Sequence, residues 1–316
     1  MTPVRQGVLA MLGACLIWGF MPVIYKPLAH IPSEEVFAHR VLWSLVFFAL
    51  ILRGRGRLGD VRLALATASK RRRVLLAAAM MSVNWFLLIF ATALGRNTET
   101  SLGYYIYPLI AVFLGRVIFG ERMSLAQGAA VGLATLAVLV LAIGLGTSPW
   151  IALALGGSFA IYNVVKKTVT EDPQVSVTAE LVIFLPVILV IFAVLAATKG
   201  FHFGDDLYFS LYMMVAGPVS AFPLILFSFA AKRVAMKTLG VMQYINPSMQ
   251  FFSAVVLFSE PFTGWHMLAF AMIWTALAIY TLSAWRQDSR SRRQAMTASA
   301  LSAASAKPSS EGSAKP

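Results

Sequence analysis

Ten long apolar stretches, divided by short charged or turn-forming breaks, constrain this chain more than any other feature. They run Gly7–Tyr25, Val36–Leu52, Val74–Leu94, Thr100–Phe119 and Leu125–Leu145, then Trp150–Val165, Ala179–Thr198, Leu207–Ala231, Thr238–Phe258 and Trp265–Trp285. A helix of roughly 20 residues, rising 1.5 Å per residue, crosses the ~30 Å hydrocarbon core of a bilayer. The stretches are too long for barrel strands and lack period-2 alternation. In lipid, a segment that is not part of a closed barrel satisfies its own backbone only as a helix. The expected fold class is all-α integral membrane, with ten transmembrane helices. Composition agrees: 59% of residues are hydrophobic and 12% charged, with a mean hydropathy of +0.77. A soluble domain carries roughly a quarter charged residues.

The charges are sorted by side. If the N-terminus is cytoplasmic, the inner loops hold Arg5, Arg53, Arg55, Arg57, Arg62, Lys70, Arg71, Arg72, Arg73, Arg122, Lys166, Lys167, Lys232, Arg233 and Lys237. The tail adds Arg286, Arg290, Arg292, Arg293, Lys307 and Lys315, whereas the outer loops hold only Arg96 and Lys199. The positive-inside rule then predicts both termini in the cytoplasm of a multi-pass protein. This also accounts for the net charge of +13 without nucleic acid as a partner, because basic loops hold topology and touch anionic headgroups. The single cysteine, Cys15, has no partner for a disulfide or a Cys-based metal site. Arg5 ahead of an apolar run has the look of a signal peptide. Pro22 and Lys26 stand where a small-residue cleavage site would be, so a retained helix is expected. Residues 287–316 are rich in Ser, Ala and Lys without periodicity and read as a disordered cytoplasmic tail.

A phrase in the fourth stretch returns in the ninth. With Pro108 set on Pro247, Tyr105/Tyr244, Ile106/Ile245, Phe113/Phe252, Val117/Val256, Phe119/Phe258 and Glu121/Glu260 are identical without a gap. This reads as an internal duplication with repeats over residues 1–146 and 147–286. Five spans per copy is an odd number, so the copies face opposite ways across the membrane. Inverted repeats of this kind mark secondary transporters, whose sites lie near the midplane at broken helices.

The expected helix breaks are Gly19, Pro22, Pro108 and Pro247. Each proline frees a carbonyl that either faces a substrate or is covered by a neighbouring helix. Around the breaks stand Trp18, Tyr25, Lys26, Tyr104, Tyr107, Gln243, Tyr244 and Asn246, with Tyr162 and Asn163 in the short sixth span and Asn84 and Trp85 in the third. These are the candidate substrate-binding residues, together with His39 and Arg40. Arg40 could hold an anionic group and His39 could titrate, or else Glu35, His39 and Arg40 pair among themselves. Lys26 either snorkels to the outer headgroups or adds positive charge at a cavity mouth. Asn84 either lines the pathway or bonds across helices. Glu180, early in the seventh span, is the candidate for proton coupling, or an interfacial residue. Glu121 and Glu260 are expected to fix helix ends, and Gly115, Gly120, Gly128 and Gly132 to allow close packing.

The stretches "RQGVL", "IWGFMPVIYK", "HRVLWS", "NWFLLIFA", "SLGYYIYPL" with "GER", and "TLGVMQYINPSMQF" resemble the RarD branch of the EamA family, in the drug/metabolite transporter superfamily. The likeness runs from about Arg5 to Trp285. It implies two five-helix EamA repeats, an exporter-like fold with a cavity between the bundles, and a class often labelled chloramphenicol-sensitive. Relatives often carry Asn where this chain has Tyr107, which leaves Asn246 as the amide of the second copy.

The leading expectation is a permease that exports a small amphipathic metabolite or drug by alternating access. Aromatic side chains would enclose the apolar part, and Lys26 or Arg40 would meet an anionic group. No GxxxxGK[ST] loop is present, so a proton or ion gradient is the expected energy source and no cofactor is expected. An intramembrane enzyme would need convergent catalytic groups, but His30, His39, His202 and His266 are scattered and neither HExxH nor GxSxG occurs. A non-transporting receptor would bind cargo without moving it. Both repeats lie in one chain, which suits a monomer or a homodimer equally.

Overall fold

The computed structural model describes residues 2–120, 124–145, 149–166, 168–198, 200–231, 233–234 and 242–283. Glu121, the start of the expected span Thr238–Phe258 and the tail 287–316 lie outside them. The chain is helical: α1 (Pro3–Gly19), α2 (Met21–Tyr25), α3 (Ser33–Gly54), α4 (Leu58–Ala64), α5 (Ala68–Ala93) and α6 (Asn97–Phe119) come first. There follow α7 (Leu125–Leu145), α8 (Trp150–Lys166), α9 (Pro173–Thr198), α10 (Leu207–Ala231), α11 (Ile245–Phe252) and α12 (Gly264–Ser283). Among the described residues there is no strand. By length and hydropathy α3, α5, α7, α9, α10 and α12 can each cross a membrane, and α1 with the segment Met21–Leu28, bent by 43° between them, brings the number to seven if the bent pair is one span. α8 and α11 are shorter apolar helices. The protein is a multi-pass membrane protein.

Local chemistry sets the ends. Pro3 opens α1, with the Thr2 side chain accepting from the Arg5 N–H. Thr67 does the same for Lys70, so α5 starts six residues before the expected Val74 and takes the basic cluster into its first turns. Asp172 accepts from the Gln174 N–H ahead of Pro173, which starts α9 before the expected Ala179. The short α4 fills what the sequence suggested was only a loop. The expected break at Gly19 and Pro22 is present as the α1/α2 bend. The expected break at Pro108 is not, since α6 runs unbroken through it. Here the helix dispenses with one backbone bond rather than ending. Pro247 sits in the first turn of α11, where a missing N–H costs little, and the break precedes it in a turn at Gln243 and Tyr244.

α8 packs against α5 and α6, α10 against α1 and α3, α9 against α3 and α5, and α11 against α6 and α1. One apolar core joins α3, α5, α8, α9 and α10 through residues such as Phe48, Leu88, Leu155, Ile188 and Met213; a second joins α6, α7 and α12 through Leu109, Leu141 and Phe270. Backbones meet most closely where α6 crosses α8: a Cβ on Gly103 would lie 2.7 Å from the Ala152 carbonyl, and one on Gly156 2.7 Å from the Gly103 carbonyl. The expected packing role of Gly120 and Gly132 is not what they do. Gly120 ends α6 at φ +65°, and a Cβ on either would meet nothing. The outward faces carry exposed Leu50, Ile143, Val190 and Leu211, which suits contact with lipid tails.

Charge divides the molecule into two ends. Arg53, Arg55, Arg57, Lys70 to Arg73 and Arg233 lie where α3 and α10 finish and α5 and α9 begin, joined by the Lys70–Glu171 and Arg57–Asp172 ion pairs. The opposite end carries Glu35, Glu99, His202 and Glu260.

Candidate functional site

A cavity of about 1370 Å³ runs from the basic end into the middle of the helix array. Its mouth is lined by Arg55, Glu171, Asp172, Gln174 and Arg233, and its depth by Trp18, Arg40, Asn84, Trp85, Tyr104 and Asn246. Elements from both halves of the chain contribute. Pockets that enclose a drug-sized ligand are roughly 300–1,000 Å³, so this one has room for cargo and water together.

Hydrogen bonds seal the far end. Glu260 accepts four at the start of α6: its Oε1 from the Asn97 N–H (2.8 Å) and side-chain amide (2.7 Å), its Oε2 from the Thr98 N–H (2.8 Å) and hydroxyl (2.7 Å). A carboxylate there meets the free N–H groups and the positive end of the helix dipole. Glu35 does likewise for the turn between α9 and α10, accepting from the His202 and Phe203 N–H groups at 2.9 Å, with the His202 ring 2.9 Å away. Polar pairs then hold α6 to α11 along their length. Thr100 donates to the Gln250 side chain (3.1 Å) and Ser101 to the Pro247 carbonyl (2.8 Å); Tyr105 meets Ser248 (2.7 Å), and Tyr107 donates to Gln243 (2.8 Å).

Of the residues singled out from sequence, Trp18, Arg40, Asn84, Trp85, Tyr104, Tyr107, Pro108, Tyr162, Asn163, Glu180, Gln243, Tyr244, Asn246 and Pro247 line the cavity. Asn84 both lines it and ties helices together, donating to the Leu155 carbonyl (3.0 Å) and accepting from the Tyr104 hydroxyl (2.8 Å). Glu180 faces the Lys166 ammonium at 2.7 Å, close to the mouth. Gly19 stands off the lining and lets α1 approach α11, where a Cβ would be 2.4 Å from that of Met249. Pro22 is buried at the start of α2.

Two candidates belong elsewhere. His39 stacks on Phe203 with ring centroids 4.3 Å apart and meets Phe192 edge-on at 5.0 Å, so it is walled off from the cavity by aromatic rings. Lys26 lies near the far end, 5.3 Å over the Phe258 ring, away from the mouth. Glu35, His39 and Arg40 do not pair among themselves: Glu35 bonds the His202 turn, and the Arg40 Nε donates to the Ser220 hydroxyl at 3.1 Å. Tyr25 is buried beside Arg40 without reaching the cavity surface.

Sequence reading passed over several lining residues. Phe159, Ser220, Gln250 and Tyr280 sit in apolar runs, and Ser220 lies between Pro218 and Pro223 of α10. Gln250 had a signal, since it is an amide one turn after Asn246, from which it is held at 3.0 Å. Glu171 and Asp172 lie between the expected spans Trp150–Val165 and Ala179–Thr198; the Lys70 ammonium beside Glu171 holds its carboxyl below the usual carboxylate range. Among the described residues no group of three or more His, Cys, Asp and Glu side chains is placed to hold a metal ion.

Residues 5–143 match the EamA-like transporter family. The chain is 38% identical over 281 residues to the protein RarD of Salmonella typhi, covering 89% of this chain and 96% of that one. It is 33% identical over 298 residues to an uncharacterized transporter of Vibrio cholerae, covering 93% and 99%. A solved crystal structure, 18% identical, superposes with a TM-score of 0.59 over 90% of this chain and 99% of its own, a likeness of fold alone.

Proposed function

Because the chain belongs to the EamA-like transporter family, in its RarD group, we propose that it moves a small amphipathic molecule across the bacterial inner membrane by alternating access. The observation that carries this reading is the aromatic-lined cavity, open at the basic end and sealed at the other by Glu260 and Glu35. An enclosed site reached from one side at a time is what carriage requires.

In this reading ten crossings form two inverted five-helix repeats, over residues 1–146 and 147–286, with α6, α8 and the α11 region completing the count. The packing pattern supports it. Exchanging the two sets of five turns the α8 contacts with α5 and α6 into the α1 contacts with α10 and α11, and both sets are present. The positive-inside rule assigns the basic end to the cytoplasm. The cavity therefore receives cargo from the cytoplasm, and the direction is export. Glu180 is the coupling group: protonating it frees Lys166 at the mouth, so a proton gradient can bias the opening.

Counterflow in sealed proteoliposomes tests the proposal. Liposomes preloaded in turn with amphenicols, amino acids or aromatic acids should accumulate labelled cargo from at least one pool, and a Tyr244→Ala/Arg40→Ala double variant should not. Equal uptake by the variant would remove this cavity as the route. Binding without any uptake, in protein shown to be folded, would make the chain a receptor.

A further inference from the structure

Arg40 is the charged side chain in the depth of the cavity, seven residues into α3 and so about 10 Å from the far end of that helix. It is 4% exposed. Its guanidinium lies over Trp85, with Cζ 3.8 Å from the ring centroid, and its Nε donates to the Ser220 hydroxyl. Its Nη1 is buried with no hydrogen-bond partner, and so is the hydroxyl of the adjacent Tyr25. Tyr25 beside it can accept as well as donate, whereas the guanidinium can only donate.

No carboxylate compensates the charge. Among the described residues the acids lining the cavity are Glu171 and Asp172 at the mouth and Glu180 two turns into α9, and each has its own cation: Lys70, Arg57 and Lys166 respectively. A buried cation without a counter-charge is among the costlier features a membrane protein can carry. The Trp85 face offsets part of that cost. It leaves Nη1 without an acceptor.

We propose that the cargo carries a single negative charge, a carboxylate, on a planar apolar body, and that Arg40 holds this carboxylate in the depth of the cavity. The inference rests on the transporter reading and narrows its substrate class. A guanidinium matches a carboxylate in shape and charge. One cation without a counter-charge favours one negative charge, which sets a carboxylate above a dianionic phosphate. A zwitterion is disfavoured in turn, since no acid near Arg40 is free to receive an ammonium. Trp85, Tyr104 and Phe159 supply the flat walls for the apolar body.

The test titrates the purified full-length protein in detergent at pH 7 and follows its thermal unfolding midpoint. The probes are 3-phenylpropionate, its neutral counterpart 3-phenylpropionamide, zwitterionic phenylalanine and phenyl phosphate. The acid should shift the midpoint at concentrations at least tenfold below those needed for the other three. Arg40→Gln should bring acid and amide together, whereas Arg40→Lys keeps part of the preference. Equal action of acid and amide on the unmodified protein, a preference that survives Arg40→Gln, or no response to the acid would each overturn the assignment; the first and last need no variant. Counterflow with the same compounds separates this from the parent reading. Flux without preference for the acid keeps the transporter and removes the carboxylate. An acid that binds in an Arg40-dependent way but never crosses keeps the carboxylate site and removes the transporter.

Discussion

Ser259 adopts φ +52°, a left-handed conformation that costs a residue with a Cβ about 1 kcal/mol. It sits immediately before Glu260, and the strain turns the chain so that this carboxylate reaches the start of α6. In the sequence repeat its counterpart is Gly120, which makes the same left-handed turn at φ +65° at the end of α6. Replacing Ser259 by glycine should therefore stabilise the protein by about 0.5–1 kcal/mol without disturbing the Glu260 bonds, as read from unfolding in detergent. Destabilisation would mean that the Ser259 side chain has a role beyond the turn. Sequence comparison pairs these two residues by position but cannot show that both need positive φ, because nothing in the identity of a serine announces it. Arg40 is the opposite case. Its charge within an apolar run marks it from sequence alone, and what needed coordinates is that no acid comes to meet it.

At the level of elements, α6 and α11 form the seam between the halves. Their polar pairs, from Glu260 with Asn97 and Thr98 down to Tyr107 with Gln243, hold the far end shut. Hydrogen bonds between helices in a membrane are worth roughly 0.6 kcal/mol each on average, so a ladder of them can close an end and still release it. The Glu260 bonds are charge-assisted and dominate the far end of the ladder. Glu260→Gln keeps the shape and removes the charge. It should raise labelling of a cysteine placed at Thr100 by a membrane-impermeant maleimide added from the far side, at least several-fold over the same cysteine with Glu260 intact, in a Cys15→Ala background. Unchanged labelling would show that the seal lies elsewhere. Much of this seam was legible in the sequence, since the duplicated phrase supplies both helices and Glu260 was expected to fix a helix end. The expected break at Pro108 is absent, because a proline signals a lost bond rather than a lost helix, and α6 continues through it where it packs closely on α8 at Gly103 and Gly156.

Across the whole molecule, apolar length was the most readable property. The runs from Leu125 and Leu207 begin at the same residues as α7 and α10, because charged or turn-forming residues precede each in the sequence. The ends of α5 and α9 were less readable, since Thr67 and the Asp172–Pro173 pair extend these helices into polar sequence that hydropathy excludes. The cavity could be anticipated as a place where broken helices converge, but not its depth or the side on which it opens. Those depend on which polar pairs are closed in this state. The central claim is that one cavity serves both sides in turn, and a single cysteine at Asn246, deep in the lining, in a Cys15→Ala background measures it. In oriented membrane vesicles at rest an impermeant maleimide should label this cysteine only from the side bearing the basic end, and labelling from the opposite side should appear when cargo is cycling. Labelling from both sides at rest, or from the basic side alone under every condition, would contradict alternating access through this cavity.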